Sequence, residues 1–459
     1  MAAVPGINDG ENKKDSVISL EELRLHNSAE SCWIAIHDKV YDITSWLSQH
    51  PGGKMVLMDV AGLDATDVFM AAHAKQVAGY LPRFYIGRLA SNPLPDHLAD
   101  FRHIRLKMEA DGMFKTNYWF YIRLVSVLAT FFSLAVCGVV FSKSTAVHAA
   151  SAFLLGVVLN QFSFIGHDAG HNGISGKRLV DSAFGLLAGN TLTGIGIGWW
   201  KSTHNIHHIV CNSRDYDPDI QHMPVFAVSS KMFNNLYSHF HKRRMNFDSV
   251  ARFLVSYQHF TYYPIMAVAR VNLYLQTWIH IIKGEKNFLW VMEILGVAAF
   301  WTWYLSLLSF LPSSGEKAMF FLISHAAGGI LHVQICVSHF PMPTFEGRPD
   351  DVSFVVNQLR GTLDIDCPTW LDWFHGGLQY QVIHHLFPRL PRHNLRKVRA
   401  IIEQFCKRHD LKYHSFTFLD ANIALLKCLK KAALEARDYT KPAPELKQTM
   451  LWEALNAQG

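Results

Sequence analysis

Four apolar runs of membrane length limit the architectures open to this chain. Residues 118–141 and 146–166 form one pair, and 288–311 and 318–338 form a second, separated by Pro312-Ser313-Ser314-Gly315. Each run is close to the roughly 20 residues that a helix needs to cross a hydrocarbon core. Two further apolar stretches differ from these: 181–200 is rich in Gly and Thr, and 260–282 is interrupted by Pro264, Arg270 and Asn272. Hydrophobic residues make up 50% of the chain and charged residues only 17%, against about 25% charged in an ordinary soluble domain, so membrane and soluble parts are expected together. The net charge of +6 is scattered and forms no stripe. That does not support nucleic-acid binding and suits an anionic membrane surface better.

Histidine-rich boxes lie at the ends of these runs. They read His167-Asp168-Ala169-Gly170-His171, His204-Asn205-Ile206-His207-His208 and Gln381-Val382-Ile383-His384-His385. If only the two pairs cross the membrane, all three boxes face the same side as the N-terminus. A lone crossing by 181–200 would put the first two boxes on opposite faces, so 181–200 and 260–282 are expected to be buried or interfacial helices. Charge agrees: the 142–145 and 312–317 loops carry one Lys each, whereas Lys and Arg are dense in 237–252 and 389–431. The polar start (Glu11, Lys13, Lys14, Asp15) lacks the apolar core of a secretory signal. The seven cysteines are dispersed, never spaced C-x-x-C, and fit a reducing compartment. The N-terminal part is therefore expected in the cytosol, and 386–459 is expected to form soluble helices.

Residues 16–90 predict a small α/β unit, with Trp33–Ile36 and Val40–Ile43 as strands about a turn at 37–39. His50-Pro51-Gly52-Gly53 forms a tight turn that can present one imidazole, and His73, on a helix expected over 67–74, can present a second. Two axial imidazoles leave haem no open position, which suits electron transfer. For an isolated pair, two unrelated surface histidines would be the favoured explanation.

The boxes place imidazoles at i, i+4 or at i, i+3 and i+4, so each box shares one helical face. His339, at the end of the fourth run, can reach the same side, giving eight histidines: His167, His171, His204, His207, His208, His339, His384 and His385. Neutral imidazoles without cysteine suit iron or another borderline metal. A closed structural zinc site would use about four ligands and not eight. Asp168, Asn205, Asp217 and Asp219 are candidates to fix ligand tautomers, although a surface or capping role suits each taken alone. Single histidines such as His239 and His375 read as surface or packing residues among the 26 in the chain.

Beyond this, the sequence resembles two known families. Cys32-Trp33-Ile34, Lys39-Val40-Tyr41-Asp42-Ile43, the His50 turn and Asp64-Ala65-Thr66-Asp67-Val68-Phe69 resemble the cytochrome b5 domain. The box order and spacing resemble the membrane fatty-acyl desaturases. A fused haem domain and Gln381 in place of a first histidine resemble the front-end branch of that family. Trp199-Trp200-Lys201, Tyr216-Asp217-Pro218-Asp219, His222-Met223-Pro224 and Trp373-Phe374-His375-Gly376-Gly377 are most similar to plant delta-8 sphingolipid long-chain-base desaturases, with plant delta-6 acyl desaturases nearly as similar. One departure is Ile383, where the family usually carries Glu.

The resemblance implies a small α+β haem domain at 16–90, a linker at 91–117 and an all-α desaturase domain at 118–459 with four transmembrane helices and a cytosolic helical cap. It implies haem b on His50 and His73, two non-haem irons held by the eight histidines, and catalytic roles for the boxes including Gln381. An endoplasmic-reticulum enzyme is implied, taking dioxygen, a lipid substrate and electrons from a separate NADH-cytochrome b5 reductase, since no G-x-G-x-x-G nicotinamide fingerprint occurs. A lipid hydroxylase on the same fold, or an electron carrier with inactive boxes, remain as alternatives.

Overall fold

The computed structural model describes residues 16–440 apart from 92, 285, 350 and 351; the polar start of the chain and the 441–459 part of the expected C-terminal helices lie outside the described residues. The chain divides into two compact units, Met1–Pro95 and Asp96–Gly459.

The first unit is an α+β fold. Its strands are β1 (Val17–Ile18), β2 (Trp33–Ile36), β3 (Lys39–Asp42) and β4 (Tyr85–Leu89), in the order β1-β4-β3-β2. β2 and β3 form the expected antiparallel hairpin, and His37 turns the chain with φ 57°. Helices α1 (Leu20–Leu25), α2 (Lys54–Met58) and α3 (Thr66–Ala72) complete the unit. Ile18, Leu23, Ala35 and Val40 form a small apolar core.

The second unit begins with α4 (Asp96–Ala110), which lies inside the segment expected as a linker. Its apolar stripe explains the difference: Leu98, Phe101, Ile104 and Met108 are buried in one cluster with Ile383, Phe387 and Phe405. Among the described residues, four helical stretches are each long and apolar enough to cross a membrane. They are α5 (Tyr118–Phe141), α6 (Thr145–Gly170), α11 (Phe288–Ser309), and α12 (Ser314–Gly328) continued by α13 (Ile330–Cys336). Between the two pairs come α7 (Arg178–Gly185), α8 (Ile197–Val210), the two-residue strands β5 (Tyr237–Ser238) and β6 (Arg243–Arg244), α9 (Ser249–Val268) and α10 (Arg270–Lys283). After the last span follow α14 (Phe354–Gly361), β7 (Asp364–Asp366), α15 (Asp372–His375), α16 (Gln381–Leu386), α17 (Leu395–Arg408), β8 (Ser415–Thr417) and α18 (Phe418–Arg437).

Glycine lets the spans approach closely. A Cβ on Gly156 of α6 would run into the Ser324 carbonyl and Ala327 of α12, so backbones meet where a side chain would hold them apart. On α5, Trp119, Ile122, Val127 and Leu134 stay exposed, an apolar face that no other described residue covers.

The 181–200 run is not one helix. After α7 comes a π-helical turn (Leu186–Thr191), and the chain then unwinds through Gly194, at φ 74°, before α8. The 260–282 run is also broken: α9 and α10 meet at a 66° bend, at Ala269 rather than at Pro264, which lies inside α9.

Candidate metal centre

Each box occupies the end of an element. His167 lies in the last turn of α6 and His171 is its C-cap. His204, His207 and His208 fill the last two turns of α8, and His339 follows α13. Gln381, His384 and His385 all lie on the six-residue α16. Gly376 and Gly377, at φ 58° and 101°, turn the chain into this helix, and a Cβ on Gly376 would collide with Phe164 of α6.

Two groups of four result. Ligand atoms of His167, His171, His204 and His384 lie within 4.8 Å of one another, and so do those of His207, Cys211, His339 and His385. His208 belongs to neither group but sits between them, with Nε2 3.1 Å from His204 Nε2 and its ring stacked on His385 at 4.2 Å. Gln381 Nε2 is 2.9 Å from His339 Nε2 and 3.5 Å from His385 Nε2. Cys211 is the residue the expectation of imidazoles without cysteine left out: its sulfur is 3.7 Å from His339 Nδ1, whereas Gln381 meets the Nε2 of that ring.

Partners fix the ring orientations. His207 Nδ1 donates to Asp217 at 2.9 and 3.0 Å, His204 Nδ1 to Asp219 at 3.3 Å, and His385 Nδ1 to Gln358 Oε1 at 2.8 Å. Each bond anchors Nδ1 and turns Nε2 away from the partner, as a metal ligand requires. Asp168 is engaged otherwise: it accepts from Tyr121 OH at 2.8 Å, pairs with Arg392 at 2.7 Å, and stays 3.7 Å from His167 Nδ1. Asn205 is half-buried and bonds no box histidine. Gln358 was missed because a lone buried Gln has no sequence signature. His375 packs, buried, against Phe374 and Phe418, and His239 stacks on Tyr216.

Burial drives His204 down to about 4 despite Asp219, and His171, His384 and His385 go down too, by burial and by one another. These rings are held neutral. For His207, burial is outweighed by Asp217 and Asp219, which raise it to about 9. Nε2 of His167, His171 and His384, Nδ1 of His208 and Oε1 of Gln381 are buried and meet no partner in the protein. Such atoms are costly to leave unanswered, and cations between the rings would answer them. The donor set fits two borderline metal ions.

In the first unit, His50 Nδ1 donates to Gly53 O and His73 Nδ1 to Phe69 O, both at 3.1 Å, so each proton sits on Nδ1 and Nε2 is the nitrogen that could hold a metal. The ring centroids are 6.0 Å apart. His73 is the C-cap of α3 rather than an internal helical residue, and a Cβ on Gly52 would approach His50 Cε1 to 2.9 Å. This pair fits a haem iron between the rings.

Residues 143–417 match the fatty acid desaturase family, and residues 19–90 match the cytochrome b5-like heme/steroid binding domain. A Delta(8)-fatty-acid desaturase of Helianthus annuus is 44% identical, over 96% of this chain and 96% of that protein. The Acyl-lipid (9-3)-desaturase of Borago officinalis is 41% identical, over 96% of this chain and 98% of its own length. A Delta 8-(E)-sphingolipid desaturase of Emericella nidulans is 32% identical, over 92% and 96% respectively.

The chain belongs to the fatty acid desaturase family.

It is an oxygen-dependent lipid desaturase carrying its own cytochrome b5 domain, a multi-pass membrane protein whose cofactors are haem and a di-iron centre. The desaturase centre opens on a cavity of about 280 Å³. His167, His204, His207, His339 and Gln381 line one part, and Ile195, Ile197, Trp199, Phe226, Met266 and Leu273 are among the apolar side chains that line the rest. Ile383 lies in the apolar cluster shared with α4 and α17. The position where this desaturase departs from its family is therefore a packing position.

Proposed function

We propose that this desaturase introduces a double bond at the delta-8 position of a sphingolipid long-chain base. The observation that carries the reading is the opening of two imidazole groups onto a largely apolar cavity, in a chain 44% identical to a delta-8 desaturase. An acyl-lipid substrate is the second reading, favoured by the 41% identity to the Borago officinalis enzyme.

In this reading His50 and His73 ligate haem b, which receives electrons from NADH through a separate cytochrome b5 reductase. His167, His171, His204 and His384 hold one iron. His207, His339 and His385 hold the other, with His208 between them and Gln381 completing the second group. When bound, the iron pair supplies the reduction of dioxygen to water and the oxidising power that takes two hydrogens from an unactivated chain. The residues of the chain do the rest. The apolar wall binds the methylene chain and keeps water from the reacting carbons. Asp217, Asp219 and Gln358 hold the Nδ1 protons of His207, His204 and His385, which keeps each Nε2 aimed inward. The enzyme would lie in the endoplasmic-reticulum membrane with the haem unit and boxes in the cytosol.

Expression in a host that lacks the product tests the reading. Delta-8 unsaturated long-chain bases should appear in the lipid profile and be absent with His384→Ala. Unsaturated acyl chains alone would select the second reading instead.

A further inference from the structure

Three side chains lining the cavity carry a buried polar atom that no protein group answers: His167 Nε2, Gln381 Oε1 and His332 Nε2. The metal centre accounts for the first two. It does not account for the third, since His332 belongs to neither group of converging ligand atoms. His332 precedes His339 by seven residues, roughly 10 Å at about 1.5 Å per helical residue. Its side chain is 97% buried, being 3% exposed.

The tautomer follows from its partner. His332 Nδ1 lies 3.2 Å from Gly329 O, and a carbonyl can only accept, so the proton is on Nδ1 and Nε2 presents a lone pair. Much of the lining near it is apolar: Leu331 and Ile335 on α13, Met266 on α9 and Leu273 on α10, with Asn272 the polar side chain among them. Thr193 and Ser163, which also line the cavity, spend their hydroxyl protons on Gly189 O and Leu159 O. A buried acceptor left unanswered is costly, so a donor is called for. A trapped water is the other group that could answer it, and the test below separates the two. A cationic amine is disfavoured as the donor, because the buried Arg270 guanidinium, which donates to Tyr274 OH and Thr193 O and keeps Nη1 unanswered beside Gly328, already places one cation behind this wall. Among groups arriving with the lipid, the donor that remains is a neutral hydroxyl.

We infer that His332 Nε2 accepts a hydrogen bond from a hydroxyl carried on the substrate chain, making His332 the residue that favours a hydroxylated long-chain base over a plain acyl chain. This rests on the cavity being the lipid site of the proposed function. The test uses the full-length enzyme in lipid nanodiscs and ceramides of one chain length whose long-chain base lacks one hydroxyl at a time. Binding is read by quenching of tryptophan fluorescence. In the wild type, deleting one particular hydroxyl should weaken binding about 2–10-fold, the range of one hydrogen bond. In His332→Leu that same deletion should cost nothing, and His332→Gln, which keeps an acceptor, should restore the difference. Iron content and the reduced haem spectrum report folding in every variant. Equal costs in wild type and His332→Leu for every deletion would overturn the inference and assign the lone pair to water. Because the readout is binding, a wild type that discriminates among the ceramides yet desaturates none would overturn the proposed function and leave this assignment standing.

Discussion

His207 and Asp217 form a buried pair in which Nδ1 of the ring faces both carboxylate oxygens, at 2.9 and 3.0 Å, with Asp217 wholly out of solvent. Asp217 also accepts the backbone N–H of Asn212 at 2.7 Å and of Asp219 at 2.9 Å, so its position is over-determined. A carboxylate behind a ligand ring fixes the tautomer and raises the basicity of the metal-binding nitrogen, and its loss typically costs about 10–100-fold in metal affinity. Asp217→Asn should therefore lower iron from about two to about one per chain, with the His167 group still filled. Elemental analysis of the purified protein measures this directly, and two irons retained at limiting metal would show that the pair does not support the site.

The haem unit offers a prediction independent of the desaturase centre. His50 and His73 give their Nδ1 protons to Gly53 and Phe69, and neither ring has a substitute nearby. His50→Ala or His73→Ala should abolish the low-spin haem spectrum and stop product formation, while membrane insertion remains unchanged. A normal reduced spectrum in both variants would remove these residues as ligands.

Topology can be tested by glycosylation tags. The chain reaches box 1 after two spans and box 3 after four, so both boxes should lie on one side. A tag in the 312–317 loop should be glycosylated, and a tag at Asp215, close to box 2, should not. Glycosylation at Asp215 would mean that the 181–200 segment crosses alone, and a 312–317 tag left unmodified would mean that the bent α9–α10 region does.

The four spans were legible because run length alone decides them, and the boxes because i, i+3 and i+4 spacing survives in any helix. Legibility ended where tertiary packing overrides local pattern. Residues 96–110 look charged enough for a linker, yet Leu98, Phe101, Ile104 and Met108 recur at helical spacing and bury against the box 3 region. The bend at Ala269 has no proline to announce it. Of the four polar residues singled out near the boxes, only Asp217 and Asp219 bond ring nitrogens, while Asp168 is held by Tyr121 and Arg392. Tyr121 and Arg392 are far from box 1 in sequence, so no spacing could reveal them.

Gln381 gives the most discriminating prediction. Its amide nitrogen faces Nε2 of His339 and His385 while its oxygen has no partner. Turning the amide over would direct the oxygen at the place where those two nitrogens converge, and an amide's O and N are assigned from just such a network. An imidazole there would add a nitrogen ligand of different reach and basicity on an already crowded side, where His207, Cys211, His339 and His385 bring ligand atoms within 4.8 Å. Gln381→His should therefore keep about two irons per chain but lose most of its activity, on the order of 10-fold or more, since a misplaced group about 1 Å from its productive position can cost about 100-fold. His384→Ala, by contrast, should empty the first group, because no other side chain replaces its nitrogen. Iron analysis beside turnover separates the two cases. Full activity in Gln381→His would show that the glutamine has no special role at the centre, and stoichiometric zinc in place of iron in the wild type would overturn the oxidative mechanism altogether.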